Sequence, residues 1–263
     1  MENELKNEII KNTIQVGNSA GVLLPKAWLN SRVKIILEPL NVEKDVLDIL
    51  MNENLLKDIL GIYIVGSYAR KEETIESDVD ILVITNKIDK KIKKGKYEII
   101  LISIDELKNQ IEKNALPLIP MLREAKPIIN SELLSSYQSV KLTKKNLRFH
   151  IETTKSALKI IKKFLELKDK KISDNIVYSL ILRLRGVYII ECIIKNKTPK
   201  NKEFLELIKK ISSNEEAYFA YKRAKEKSSK IKKLTLDSAE KIYEYIKHGL
   251  SNQEKWIEKE ENN

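Results

Sequence analysis

The stretch from Gly61 to Thr85, GIYIVGSYARKEETIESDVDILVIT, constrains this chain more than any other. It reads as an apolar strand (Ile62 to Val65), a Gly66-Ser67 turn, a short helix, and a second apolar strand that opens on Asp78 and Asp80. Two residues apart on a strand means one face, with Cα atoms about 6.6 Å apart. Both carboxylates then converge on the same point. Hard oxygen donors at that spacing suit Mg²⁺, which binds through a few carboxylates, waters and substrate phosphates.

A third carboxylate stands downstream. Asn86 to Lys96 reads as a charged turn and Tyr97 to Ile104 as a third strand, with Tyr97, Ile99, Leu101 and Ser103 on one face. Glu98 heads the opposite row, ahead of Ile100, Ile102 and Ile104, where it can face the same metal. The helix after it is expected to take Asp105 as its N-cap. Upstream, the apolar residues between Val42 and Leu60 recur as an amphipathic helix requires.

These residues resemble the DNA polymerase β-type nucleotidyltransferase superfamily, and most of all its minimal members. Their typical run is Gly-Ser-x-Ala-Arg-Gly ahead of Ser-Asp-x-Asp; here it reads Gly66-Ser67-Tyr68-Ala69-Arg70-Lys71, then Ser77-Asp78-Val79-Asp80. Only the last glycine differs, being Lys71. The resemblance implies an enzyme that moves a nucleoside monophosphate from an NTP, most simply ATP, onto a hydroxyl acceptor on a protein, an RNA or a small molecule. It also implies roles. Asp78, Asp80 and Glu98 would hold Mg²⁺, two ions being expected, while Gly66 and Ser67 would cradle the triphosphate. Arg70 is either a further triphosphate contact or a solvated residue of the turn's helix.

Around this core the chain divides into three: a β-rich module over 1–41, the nucleotidyltransferase domain over 42–135, and a helical bundle over 136–263. The fold class is therefore α+β, with a mixed sheet in the core. In the first module Thr13 to Val16 reads as extended, GNSAG as a loop, Val22 to Leu24 as extended, and Pro25 as the start of a short helix ending near Asn30. Arg32 to Leu37 alternates like a strand. The run from Gln15 to Lys26 resembles the AbrB/MazE-like swapped-hairpin domains, which implies a homodimer with interleaved strands. DNA binding is not expected, because Leu23 stands where DNA-binding members commonly carry arginine, and because residues 1–44 hold 6 basic against 5 acidic side chains.

The C-terminal part shows helical spacing over 141–168, 173–196, 202–211, 215–230 and 236–257, after an extended piece at Pro127 to Asn130. It carries 30 Lys and Arg against 17 Asp and Glu, whereas residues 45–135 carry 13 against 16. The net charge of +11 thus sits on the bundle. Such a surface either attracts a polyanionic acceptor such as RNA or is a set of solvated helix faces. Arg183 and Arg185, on the most apolar helix, either face a cleft or make structural ion pairs. The bundle is similar to the helical HEPN-type partners of minimal nucleotidyltransferases. Nuclease members of that group carry an arginine about four to six residues before a histidine. Arg148 and His150 are too close for that, and His248 has no arginine at that distance, so no nuclease activity is expected.

Several classes fall away on composition. Cys192 is the single cysteine, so no internal disulfide or cysteine cluster forms. With only His150 and His248, a histidine-ligated zinc site or a Ser-His-Asp arrangement has no basis. The apolar run Ile176 to Ile194 is broken by Arg183, Arg185 and Glu191, so no membrane span is expected. The acidic opening residues do not read as a secretory signal, and a cytoplasmic location is expected. The rival reading is a dimeric DNA-binding protein, antitoxin-like or transcription-regulating, whose nucleotidyltransferase domain only senses nucleotides. Retention of both Asp78 and Asp80 favours the enzyme, since a sensor has no need of two metal ligands.

Overall fold

A computed structural model describes residues 9–11, 13–36, 38–167, 171–213, 215–226 and 234–261. The chain forms two compact units, Met1–Asn41 and Val42–Asn263. In the first, β1 (Ile14–Val16) and β2 (Ser19–Gly21) form a hairpin with Val16 opposite Ser19. The turn is Gly17-Asn18 alone, with Gly17 at φ +58°, so Ser19 to Gly21 belong to a strand rather than to the expected loop. Val22 to Leu24 lie outside any strand, as do residues 31–36, while Leu37 is outside the described residues. A single 3-10 turn, Lys26–Trp28, follows Pro25. None of the described residues of this unit is buried.

The second unit opens with α1 (Val42–Asn52), shorter than its apolar periodicity suggests. Asn54 takes a positive φ, a 3-10 turn follows at Leu56–Asp58, and Ile59 and Leu60 join a strand instead of the helix. That strand, β3 (Ile59–Val65), leads into α2 (Gly66–Arg70) and then β4 (Val79–Thr85). The lysine-rich segment expected as a turn holds an edge strand, β5 (Lys90–Lys94), hairpinned through Gly95 to β6 (Tyr97–Ser103). Ile92 is its one buried residue among four exposed lysines, and charge of that kind is how an edge strand resists pairing with another molecule.

α3 (Ile104–Lys113) begins at Ile104, because the Ser103 hydroxyl, not Asp105, caps it by accepting the Glu106 N–H. α4 (Leu118–Glu124) and β7 (Lys126–Ile129) follow, then α5 (Ser131–Gln138), capped by Asn130; neither α4 nor α5 was apparent in the periodicity. The sheet order is β5-β6-β4-β3-β7, with only β4 and β6 parallel.

The two faces of the sheet are sorted by strand alternation. Ile62, Val79, Ile81, Val83, Ile99 and Leu101 pack on Val46, Ile49 and Leu50 of α1. On the other face Tyr63, Val65, Leu82, Ile84 and Ile102 meet α3 and α4, and this buried cluster continues without a break into the helices beyond.

Those helices are α6 (Lys144–Glu166), α7 (Asp174–Ile194), α8 (Asn201–Ser212), α9 (Glu216–Glu226) and α10 (Leu236–Glu261). A short ladder of β8 (Lys171–Ile172) and β9 (Leu234–Thr235) closes the end. The part of the expected fourth helix beyond 226, and the break near 232, lie outside the described residues. Thr143 and Asn146 start α6 with reciprocal side-chain caps. α7 buries Val177, Leu180, Ile181, Leu184, Val187 and Ile190 and packs on α6, α9 and α10, while α10 packs on α6, α7 and α8. Among the described residues no helix is long and apolar enough to cross a membrane.

Candidate active site

The expected site residues gather where β3 ends and β4 and β6 begin. Val65 is the register partner of Asp80, and Asp80 is in turn the partner of Glu98 across the parallel pair. Three adjacent strands thus deliver Gly66, Asp80 and Glu98 to one rim of the sheet. The face is the one carrying Leu82 and Ile84, so the two carboxylates continue an apolar row out to solvent. Asp78 lies just before β4 and is exposed; Asp80 is half-buried. The start of β4 is fixed by the Val79 N–H, which donates to the Lys96 carbonyl at 2.8 Å.

Gly66 is required here for two reasons. Its φ is +69°, and a Cβ built on it would sit 2.5 Å from Asp80 Oδ2. The Asp80 carboxylate therefore rests against the bare backbone of the turn, which only glycine permits. At the other end of α2, Lys71 occupies a left-handed position at φ 58° and ψ 41°, where the resembling family places glycine. The Ser67 carbonyl accepts the Glu72 N–H at 2.9 Å, closing the short helix.

The charges at the rim are unequally compensated. Burial first, then the negative charges of Glu98 and Asp78, push the Asp80 carboxyl above its ordinary range. Glu98 is held below its range by hydrogen bonds from Lys93 and Lys91. Lys93 Nζ lies 2.9 Å from its Oε1 and Lys91 Nζ 3.0 Å from its Oε2. Both lysines stand on β5, on the face that carries Glu98. Among the described residues no three acidic, histidine or cysteine side chains are drawn together as a ready metal cage. The donor chemistry nevertheless fits Mg²⁺: carboxylate oxygens, partly solvated, with the like-charge crowding at Asp80 that a cation would relieve.

Arg70 is neither solvated nor turned outward. Its side chain is 12% exposed, Nη1 lies 2.8 Å from both oxygens of Glu124, and Nε donates to Glu72 at 2.9 Å. Glu124, only 6% exposed, also accepts the Gly66 N–H at 2.9 Å, and Glu72 accepts the Asn201 N–H at the start of α8. A chain of ion pairs and hydrogen bonds therefore ties the glycine turn to α4 and α8. Ser67 is half-buried at the start of α2.

Glu72, Glu124, Lys91 and Lys93 are the residues that sequence reasoning passed over. The alternating Lys91-Ile92-Lys93 ahead of Gly95 is a strand-and-turn signal that would have found the lysines. Nothing around Glu124 marks it. Arg185 donates to Asn201 Oδ1 at 3.4 Å, and Arg183 lies close enough to His150 to disfavour its charged form.

No curated protein matches the chain. Among solved structures it is similar to a nucleotidyltransferase-like protein from Exiguobacterium sibiricum 255-15, at 14% identity over 81% of this chain and 76% of that one, with a TM-score of 0.39. It is also similar to spectinomycin adenyltransferase AAD(9) from Enterococcus faecialis, determined with ATP and spectinomycin, at 15% identity over 80% of this chain and 98% of that one, with a TM-score of 0.44. Likenesses this distant carry no argument. The decisive match is to the family model described as the nucleotidyltransferase domain, which spans residues 44–259 and so most of the chain. The chain belongs to the nucleotidyltransferase domain family and is a nucleotidyltransferase, an enzyme that transfers a nucleoside monophosphate from a nucleotide.

Proposed function

We propose that the donor is an NTP, ATP in the simplest case, that Mg²⁺ is required, and that the acceptor is a hydroxyl on a protein, an RNA or a small molecule, in the cytoplasm. The observation that carries this is the half-buried Asp80, crowded by Asp78 and Glu98 and seated against Gly66 at the rim of the sheet. Asp78 and Asp80 would hold the metal, with Glu98 as the third ligand once it leaves its lysines. Bound there, Mg²⁺ supplies charge neutralisation for the transferring phosphoryl group and activation of the attacking hydroxyl. Gly66 leaves the turn's backbone open to close approach by the triphosphate, with Ser67 beside it. Arg70 positions this turn through Glu124 instead of touching phosphate. In this reading 42–135 supplies the donor half of the site and the basic segment 136–263 the acceptor half.

The test is incubation with α-labelled NTPs, Mg²⁺ and cell extract. Label transfer that Asp78→Ala plus Asp80→Ala abolishes supports the reading; its absence under every NTP sinks it. The base that gives the strongest transfer identifies the donor.

Homodimerisation through residues 1–41 belongs to the same proposal. Ile10, Leu23, Leu29, Ile35 and Ile36 are all exposed in that unit, and a segment that buries none of its described residues cannot stabilise itself alone. Light scattering should give twice the chain mass, and Ile10, Ile35 and Ile36 changed together to Ser should reduce it to one.

A further inference from the structure

The two lysines on Glu98 are more than surface neutralisation. They are the cross-strand neighbours of a carboxylate that the proposed reaction needs, and between them they take both of its oxygens. Two ammonium groups at 2.9 and 3.0 Å compete with a cation for those oxygens, by charge and by the lone pairs they occupy. Their side chains are 60% and 61% exposed, so they can swing into solvent on their four-carbon stems. Strand order fixes which substrate they would meet. β5 is the third strand from β3, roughly 14 Å away at the usual spacing. The glycine turn that cradles the donor's phosphates is at the end of β3. Lys91 and Lys93 therefore stand on the far side of the carboxylates, where the acceptor must approach.

Resting on the functional reading above, we propose that Lys91 and Lys93 form a displaceable clamp on Glu98, opened by a phosphate group carried by the acceptor beside its reacting hydroxyl. In the substrate-free site the clamp holds Glu98 away from the metal. An acceptor phosphate draws the ammonium groups to itself and releases the carboxylate to complete the metal site. The lysines thereby select against neutral or cationic acceptors, whose arrival leaves Glu98 clamped.

Mn²⁺ binding to the full chain, followed by the electron paramagnetic resonance signal of the free ion, tests this without any turnover. Without substrate, Lys91→Ala plus Lys93→Ala should bind Mn²⁺ about five- to tenfold more tightly than the unaltered protein, the scale set by losing two exposed ion pairs. Lys91→Gln plus Lys93→Gln, which keeps most of each stem, should do the same. Lys90→Ala plus Lys94→Ala removes equal charge from the other face of β5 and should stay within about twofold. Millimolar ribose 5-phosphate should tighten Mn²⁺ binding by the unaltered protein and leave the Lys91/Lys93 variants unmoved, while ribose does nothing.

Affinity for an α,β-methylene nucleoside triphosphate should be equal in all forms; a loss of about tenfold in the Lys91/Lys93 variants would place these lysines on the donor and overturn the proposal. Equal Mn²⁺ affinities with and without the lysines would overturn the clamp alone. Mn²⁺ binding that survives Asp78→Ala plus Asp80→Ala would overturn the functional reading, and the clamp with it.

Discussion

The sheet rim and the interior of the bundle treat polar groups in opposite ways. Between α6, α7 and α10, His150 Nε2 lies 3.2 Å from Gln253 Oε1, and the Gln253 amide donates to the Val187 carbonyl at 3.0 Å. Both side chains are buried. Burial, above all, lowers the His150 pKa from 6.5 to about 4, so this imidazole stays neutral and serves as a hydrogen-bonding joint between helices. Gly186 leaves room for it, since a Cβ there would meet His150 Cε1 at 2.9 Å. At the rim, burial raises Asp80 instead and like charges add to the effect. A satisfied neutral group stabilises the fold and does nothing else. An under-compensated charge favours a cation beside it, and in the proposed reading the metal meets that demand.

The largest effect should come from Asp78→Ala plus Asp80→Ala. In the proposed reading this removes the metal's holders and with them several kcal/mol of transition-state stabilisation, so transfer should fall by at least about a thousandfold. The thermal midpoint should hold or rise, because a carboxyl raised in the folded state destabilises the fold at every pH above that raised value. A fall in midpoint with activity retained would erase the contrast between rim and interior.

Glu124→Ala tests whether part of the rim behaves like an interior. It leaves the buried Arg70 guanidinium with Glu72 alone and the Gly66 N–H unpaired, and should cost about 2 kcal/mol by denaturant unfolding. A loss under about 1 kcal/mol would mean that Arg70 finds solvent, as an exposed residue would.

The interior has its own signature in pH. The unfolded chain binds a proton at His150 below pH 6.5, while the folded chain resists until about pH 4. Stability from this group is therefore complete above pH 6.5 and drains away as the pH falls through that window, by about 3 kcal/mol in all. Subtracting the pH profile of His150→Gln from that of the unaltered protein isolates the term; superimposable profiles would place His150 in solvent.

The smallest effect is at Lys71. Glycine there removes the left-handed strain at the end of α2 at some entropic cost, and should stabilise by about 0.5 to 1 kcal/mol. A destabilised Lys71→Gly would mean that the lysine side chain holds the turn.

Much of this arrangement was legible in the residues. The alternation in Tyr97 to Ser103 sorted those side chains between the two faces as the structure has them, and Glu98 does fall on the face of Asp80, its register partner. Helix limits were read less well. Ser103 displaced Asp105 as a cap because its hydroxyl sits at the strand's end, where it also donates to Asp89 at 3.0 Å. Ile59 and Leu60 left the helix because Asn54 breaks it and β4 offers them a ladder, a tertiary gain that helical periodicity cannot weigh.

By itself the sequence determined the pattern of the proposed site: a glycine at the turn after a strand, two aspartates on one face, and a third acid near the start of a later strand. These are local facts, set by a two-residue period and by the missing Cβ of one residue. Only the tertiary structure decided which charges have partners. Arg70 meets Glu124 across 54 residues of chain, and Glu98 meets Lys91 and Lys93 through the register of a hairpin read as a turn. Unlike the i,i+4 pairs on the helices, such as Arg148 with Glu152, these ion pairs depend on which side chains packing and register bring within a few ångströms, and helical spacing does not encode them.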